Sequence, residues 1–347
     1  MNTVESFLVR NWERLNLGGP EPPARLSSVL ATPRFRTSRH AIFLIFADGS
    51  RDPKWVAKIP RLAAETASLD REVSNLRALG ALRSGRCEDV PRVLAYESYL
   101  GNRLLLESVV SGYAMRSAVV RQRPKECCEA AIDWLIDLQE ASFQSHHDRK
   151  QSIQRLVAAL LDYFESVFPL SAEEKYLIAE TRKLTHSLQS LDFPLVFEHG
   201  DFSSPNIFVR LCGDIGVVDW ELAEPHGLPA ADLFFFLSYL AFARNRTETP
   251  EDCISAFHET FFGQGAWARE YIARYRESVR LPAAALKPLF IAYWSRYVGR
   301  LVAQLNDLGT GPRVEPGQET AAWLRNSRYF HLWKHAVAHA DDLQFAD

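Results

Sequence analysis

The segment Glu198-His199-Gly200-Asp201-Phe202-Ser203-Ser204-Pro205-Asn206-Ile207-Phe208-Val209 is followed closely by Gly216-Val217-Val218-Asp219-Trp220-Glu221. Together they set two carboxylates, Asp201 and Asp219, and a carboxamide, Asn206, on polar stretches beside short apolar runs. Phosphoryl transfer needs parts of this kind. A carboxylate can orient an attacking hydroxyl and accept its proton, and hard oxygen donors can hold Mg²⁺ against phosphates. The alternative is a buried polar loop in which the same Asp and Asn only cap helices and turns.

A third feature lies far upstream. Lys58, in Val56-Ala57-Lys58-Ile59-Pro60, sits near the end of an apolar strand-like run. A lysine on an inward-facing strand position is unfavourable without a partner; on an edge strand it would simply be solvated.

The elements that must position these groups change character along the chain. Val4 to Leu15 has helical spacing, and Gly18 to Pro23 breaks it. His40 to Phe46 and Trp55 to Ile59 read as antiparallel strands joined through Asp48-Gly49-Ser50. Ala63 to Leu82 reads as a helix with Leu69, Val73, Leu76 and Leu79 on one face. Val90 to Tyr96 and Arg103 to Val110 read as two further strands, and Gly112 ends the strand-rich region.

Helical patterns follow over Cys128–Phe143, Ile153–Phe168, Glu173–Leu188, Ala230–Arg244, Cys253–Phe262, Trp267–Arg280, Pro288–Asn306 and Ala321–Ala340. They are interrupted by short strands at Leu195–Phe197, Ile207–Val209 and Gly216–Val218. The expectation is an α+β chain of two parts with a cleft between them, residues 1–110 forming a small antiparallel-sheet lobe and 111–347 a larger, mostly helical one.

The spacing HGDxxxxN, followed by a strand ending in DWE, resembles the aminoglycoside phosphotransferase and choline kinase-like family. These are small-molecule kinases on the two-lobed protein-kinase-like fold. The resemblance implies that Asp201 is the catalytic base. It makes Asn206 and Asp219 the Mg²⁺ ligands, with Asp219 where protein kinases carry DFG.

His199 is then a support that hydrogen-bonds backbone, and Asp232, at the start of a later helix, a brace for the loop. Lys58 would contact the α- and β-phosphates of ATP or GTP and be held by Glu72, with Glu65 and Asp70 as competitors. Leu104 to Gly112 resembles the hinge strand, in which the Glu107 carbonyl and the Val109 N–H would meet the nucleotide base.

The chain departs from the pattern twice. Thr32 to His40, where the phosphate-covering loop belongs, has no glycine. Thr37 and Ser38 are its candidate phosphate donors, and Arg34, Arg36 and Arg39 could add charge. Gln139 stands where related chains often carry His. The matching motifs span Lys58 to Asp232.

Bulk properties narrow the partners. The 347 residues are 47% hydrophobic and 24% charged, with a formal net charge of −3, so nucleic acid is not an expected partner. No apolar run approaches the length of about 18 residues that spans a membrane, and the first eleven residues lack the apolar stretch of a signal peptide. Cys87, Cys127, Cys128, Cys212 and Cys253 form no CxxC pair, which reads as reduced thiols in a cytoplasm.

From Arg244 to the end there are thirteen Lys/Arg and twelve Asp/Glu, with many aromatics. That is not the acidic surplus a polycationic acceptor invites. The balance tilts from an aminoglycoside, and so from a resistance enzyme, towards a neutral or anionic hydroxylated metabolite. A nucleotide-binding scaffold of the same fold is a second class, opposed by the presence of Lys58, Asp201, Asn206 and Asp219. A protein kinase is disfavoured by the HGD and DWE forms and the glycine-free loop. Oligomeric state is left open.

Overall fold

The computed structural model describes residues 2–31, 39–83, 88–143, 148–210, 213–307, 318–343 and 345. Ser38 and most of the Thr32–His40 loop, with Arg34, Arg36 and Thr37, lie outside the described residues, as do Cys87 and Cys212. Cys127, Cys128 and Cys253 are buried free thiols. Contacts divide the chain into two units, 1–113 with 208–223, and 114–207 with 224–347.

In the first unit α1 (Thr3–Leu15) is followed by β1 (Leu26–Ala31), β2 (His40–Ala47), β3 (Trp55–Pro60), α2 (Ala67–Leu82), β4 (Val93–Tyr99) and β5 (Asn102–Ser108). The strands form one antiparallel sheet in the order β1-β2-β3-β5-β4. Because side chains alternate between the faces of a strand, the register sorts them cleanly. Ile45, Ala57, Leu104 and Leu106 pack with Val4, Phe7, Leu8 and Trp12 of α1, while Leu105 packs with Leu69 and Val73 of α2. Lys58 pairs in register with Leu105. It therefore shares the α2 face, while its neighbour Ala57 faces α1.

The two-residue strand β6 (Tyr113–Ala114) leads on to α3 (Ser117–Gln122), α4 (Pro124–Ala141) and α5 (Arg149–Ile153), which continues through a π turn at Gln154–Ala158 into α6 (Ala159–Val167). Then come α7 (Ala172–Thr185), β7 (Val196–Glu198), a 3₁₀ turn at Ser204–Asn206, β8 (Ile207–Val209), β9 (Ile215–Val217) and β10 (Glu224–Gly227). The last elements are α8 (Ala231–Asn245), α9 (Pro250–Phe261), α10 (Arg269–Ser278), α11 (Ala283–Asp307), α12 (Gln318–Arg325) and α13 (Arg328–Ala338). No helix among the described residues is long and apolar enough to cross a membrane.

In the second unit α8 is apolar nearly all round, with Leu233 through Leu237 buried, as a helix enclosed by others must be. It packs with α9, α4 and α3, while α11 runs along α13, α6 and α7. β7 and β10 form an antiparallel pair.

The structure differs from the sequence expectation at several places, each with a local cause. Residues 208–223 join the first unit. Asn75 of α2 donates to the carbonyls of Trp220 and Ala223, and the Trp220 N–H reaches the Glu72 carboxylate at 3.2 Å. The last helical stretch is two helices, because the Ser327 side chain accepts from the Phe330 N–H and starts α13 afresh. α11 begins five residues before Pro288, which lies inside it. The short elements β6, α3 and β10 carry too little periodicity to be read.

β7 leads straight into the His199-Gly200-Asp201 loop, and Gly227 of β10 lies against it. A Cβ at Gly227 would sit 2.4 Å from Glu198 Cβ and 2.5 Å from Glu198 Oε2. Gly227→Ala must push Glu198 away. Overpacking of this kind costs about 1–3 kcal/mol, so chemical denaturation should show a stability loss in that range. A loss under about 0.5 kcal/mol would mean that the β7–β10 contact is not rigid.

Candidate active site

The candidate residues fall into two groups, one in each unit. In the first, Lys58 of β3 donates to Glu72 Oε1 of α2, and its Nζ stands 3.6 Å from Glu107 Oε2 of β5. All three side chains are buried, Glu72 completely. Glu72 was one of three candidates to hold the lysine, and the geometry separates them. Glu65 lies ahead of α2 and is half-buried, and Asp70 is engaged by Tyr96 and Thr66 on the surface. Burial alone would lower the lysine's pKa, but Glu107, then Glu72 and Asp219, raise it above the ordinary range, so Lys58 stays charged.

Asp219 follows β9 in the left-handed region at φ 72°. A non-glycine residue there is strained, and such strain gathers at functional sites. Its segment is pinned by Trp220, which is fully buried and whose indole N–H donates to the Val217 carbonyl at 3.0 Å. Glu221 lies beside it, pushed up to about 8 by burial, then by Asp219 and Glu72. His40, 3.5 Å from Glu221, donates no balancing charge near neutrality. Burial, then Lys58, hold it down at about 4. Val109 lies half-buried just past the end of β5.

Carboxylates thus outnumber the buried cation. Glu72 Oε2 and Glu107 Oε1 are buried with no hydrogen-bond donor. Among the described residues no three or more His, Cys, Asp or Glu side chains form a metal-holding group.

In the second unit the Asp201 loop hangs from buried polar groups. Gly200 has φ 81°, which glycine adopts without strain. Asp232, at the start of α8, accepts the N–H of His199 at 2.7 Å and of Gly200 at 2.9 Å. His199 Nδ1 accepts the Asp201 N–H at 3.2 Å. Asn206 Nδ2 donates to the Asp201 carbonyl at 3.0 Å and to its carboxylate at 2.8 Å. This leaves the Asn206 carboxamide oxygen as the atom of that side chain that could hold a metal ion.

Beneath the loop are residues whose part in it the sequence reading did not assign. Gln139 receives the Tyr275 hydroxyl and donates to Asp232 and to the Phe197 carbonyl, both at 3.4 Å. Tyr275 itself accepts the Ala230 N–H at 2.8 Å. Glu198 is held by Arg296 at 2.7 Å and accepts the Leu228 N–H at 3.2 Å. The departure at Gln139 was visible in the sequence, but its partners were not, since Tyr275 and Asp232 are far from it along the chain.

Glu107 gives a pH test. Burial, opposed by Lys58 and reinforced by Glu72, pushes its carboxyl from 4.5 up to about 8. The folded form therefore keeps a proton that the unfolded chain releases, and stability is lost as pH rises through that window. Glu107→Gln removes the titration. The variant should match the wild type near pH 5 and melt higher at pH 8.5, the gap widening by about 2 °C or more. Thermal melts in EDTA at the two pH values read this directly, and an unchanged gap would show that Glu107 is ionised throughout.

Comparison with known proteins supplies the family. The model of the phosphotransferase enzyme family (APH) matches residues 39–286. A search of curated proteins found no match. Among solved structures, the choline kinase LicA from Streptococcus pneumoniae is similar at 12% identity and TM-score 0.56, over 97% of this chain and 100% of that one. LicA in complex with AMP is similar at 11% identity and TM-score 0.54, over 98% and 100%. These likenesses are of fold, and they agree with the small antiparallel sheet and larger helical part of a protein-kinase-like α+β chain. With more than half of its length matched by the family model, the chain belongs to the phosphotransferase enzyme family.

Proposed function

We propose that this protein transfers the γ-phosphoryl group of ATP or GTP to a hydroxyl of a small molecule, with Mg²⁺. The observation that carries the proposal is the fixed pairing of Asp201 with Asn206, on a loop whose backbone N–H groups are tied to Asp232. A carboxylate so placed can hold an acceptor hydroxyl and take its proton. The acceptor oxygen forms a bond to the γ-phosphorus, the bond from that phosphorus to the bridging oxygen breaks, and the nucleoside diphosphate leaves.

Lys58, kept charged by Glu72 and Glu107, is the group to meet the nucleotide's phosphates. Asn206 and Asp219 are the residues to hold Mg²⁺, which when bound neutralises phosphate charge. Glu107 and Val109 are the positions for the base through their backbone atoms. Support for a nucleotide co-substrate comes from the family and from LicA, a protein of the same fold seen with AMP.

Asp201→Asn tests the base. It keeps the shape and an oxygen for Asn206 Nδ2 but removes the charge and the proton acceptor. Nucleotide binding by calorimetry should stay near that of the wild type, while turnover with any accepted hydroxyl compound falls by roughly a hundredfold or more. Turnover within a few-fold of wild type would end the assignment. Lost nucleotide binding with a lowered Tm would make Asp201 a loop brace instead.

A further inference from the structure

α8, α11 and α13 bring a cluster of tyrosines around one arginine in the second unit. Arg328, the first residue of α13, donates from Nη2 to the hydroxyls of Tyr239 at 2.9 Å and Tyr329 at 3.0 Å. Those hydroxyls lie 2.6 Å from each other. The guanidinium lies over the rings of Tyr239, Tyr329 and Phe242, at 5.1, 5.0 and 5.6 Å, and Tyr297 packs on Tyr329 with ring centres 4.5 Å apart.

Two features of this cluster are unbalanced. Among the described residues no carboxylate forms an ion pair with Arg328, although its side chain is half-buried. Elsewhere in this chain Arg296 and Arg325, which are at least as enclosed or comparably placed, each have a glutamate. Tyr293, on α11 beside Tyr297, is 5% exposed, and its hydroxyl has no hydrogen-bond partner among the described residues. Buried polar groups are mostly hydrogen-bonded, so an unmatched hydroxyl calls for an explanation, and a ligand is one.

The Asp201 loop belongs to the same neighbourhood. Phe202 packs on Phe236 of α8, with ring centres 5.6 Å apart. Burial, and after it neighbouring charges that include Asp201, keep the phenols of Tyr239, Tyr293 and Tyr297 well above their ordinary range.

We propose that Arg328, with the Tyr239–Tyr329 hydroxyl pair and Tyr293, sets the specificity of the acceptor site beside Asp201, and that the acceptor carries a carboxylate or phosphate besides its hydroxyl. This rests on the reading of Asp201 as the base. A guanidinium offers a planar fork of donors to either anion, and the tyrosine hydroxyls add donors that suit a polyhydroxylated body. The same cation repels an ammonium group, so amine-rich acceptors are disfavoured by a charge on the site and not only by the balanced composition of the region.

The test is nucleoside diphosphate release with matched acceptors on one scaffold, namely glucose, glucuronate, glucose 6-phosphate and glucosamine, beside a wider hydroxylated library sorted by charge. Accepted compounds should be anionic, and the carboxylate and phosphate arms say which anion is preferred. For the best of them, Arg328→Gln should raise KM by roughly tenfold or more with the nucleotide KM within about twofold, and Arg328→Lys should recover part of the loss. Preference for neutral or amine acceptors, or an unchanged KM in Arg328→Gln, overturns the inference. So does a nucleotide KM or Tm that moves with the acceptor KM, since that marks a structural brace. If the wild type binds nucleotide yet turns over no acceptor of any charge, the transfer reading itself falls and takes this one with it.

Discussion

Asp232 is the residue on which the second unit's polar architecture turns. The loop after β7 belongs to no ladder, so the buried N–H groups of His199 and Gly200 need acceptors, and one carboxylate takes both. That solution creates a new problem, because Asp232 is then a buried anion near a second one, Glu198. Burial, then Glu198, push the Asp232 carboxyl up to about 7, while the two N–H groups and Arg296 pull it back. Arg296 must be where it is because Glu198 would otherwise be a lone buried charge. Gln139 supplies a neutral donor to Asp232 and is itself held by Tyr275. A neutral amide in that place adds a hydrogen bond without a further titratable group under the loop.

The first unit meets the same constraint with the opposite imbalance. A buried lysine needs a carboxylate, and Glu72 provides it, but the Glu72 oxygen that binds Lys58 also accepts the Trp220 N–H. One side chain therefore orients the lysine and fixes the strained turn carrying Asp219. Glu107 and Glu221 crowd further carboxyls around that lysine, and both respond by holding protons up to about pH 8.

The sheet, the α2 helix and the loop motifs were legible because their signals are local. The apolar run around Lys58 marks its strand, though only the sheet register puts the lysine inside, and the spacing from Asp201 to Asn206 is short enough to survive without knowledge of the fold. Helix existence was legible and helix ends were not. A single serine cap at Ser327 split one expected helix into two, and the long apolar pattern of α11 hid a start before Pro288. The side chains under the loop were illegible for another reason. Gln139, Tyr275 and Arg296 come from three separate helices, and only folding brings them to Asp232, which the resemblance marks as a brace. Glu107 shows the same limit in one residue: the resemblance drew attention to its backbone, whereas its buried carboxylate beside Lys58 follows from sheet register.

Composition is a poor guide to the acceptor for a related reason. Over the last hundred or so residues the charges nearly cancel, and that count treats every arginine alike. In the fold they are not alike. Arg325 is matched to Glu174, and Arg296 to Glu198; their charges are spent within the protein and project little beyond it. Arg328 has ring faces and hydroxyls for neighbours instead of a carboxylate. These steady its position without cancelling its charge. What a site presents to a ligand is the charge left after internal pairing, so a single unmatched guanidinium outweighs a near-neutral total. The specificity of such a helical region is written in its exceptions to pairing, and a sequence lists residues without saying which of them are exceptions.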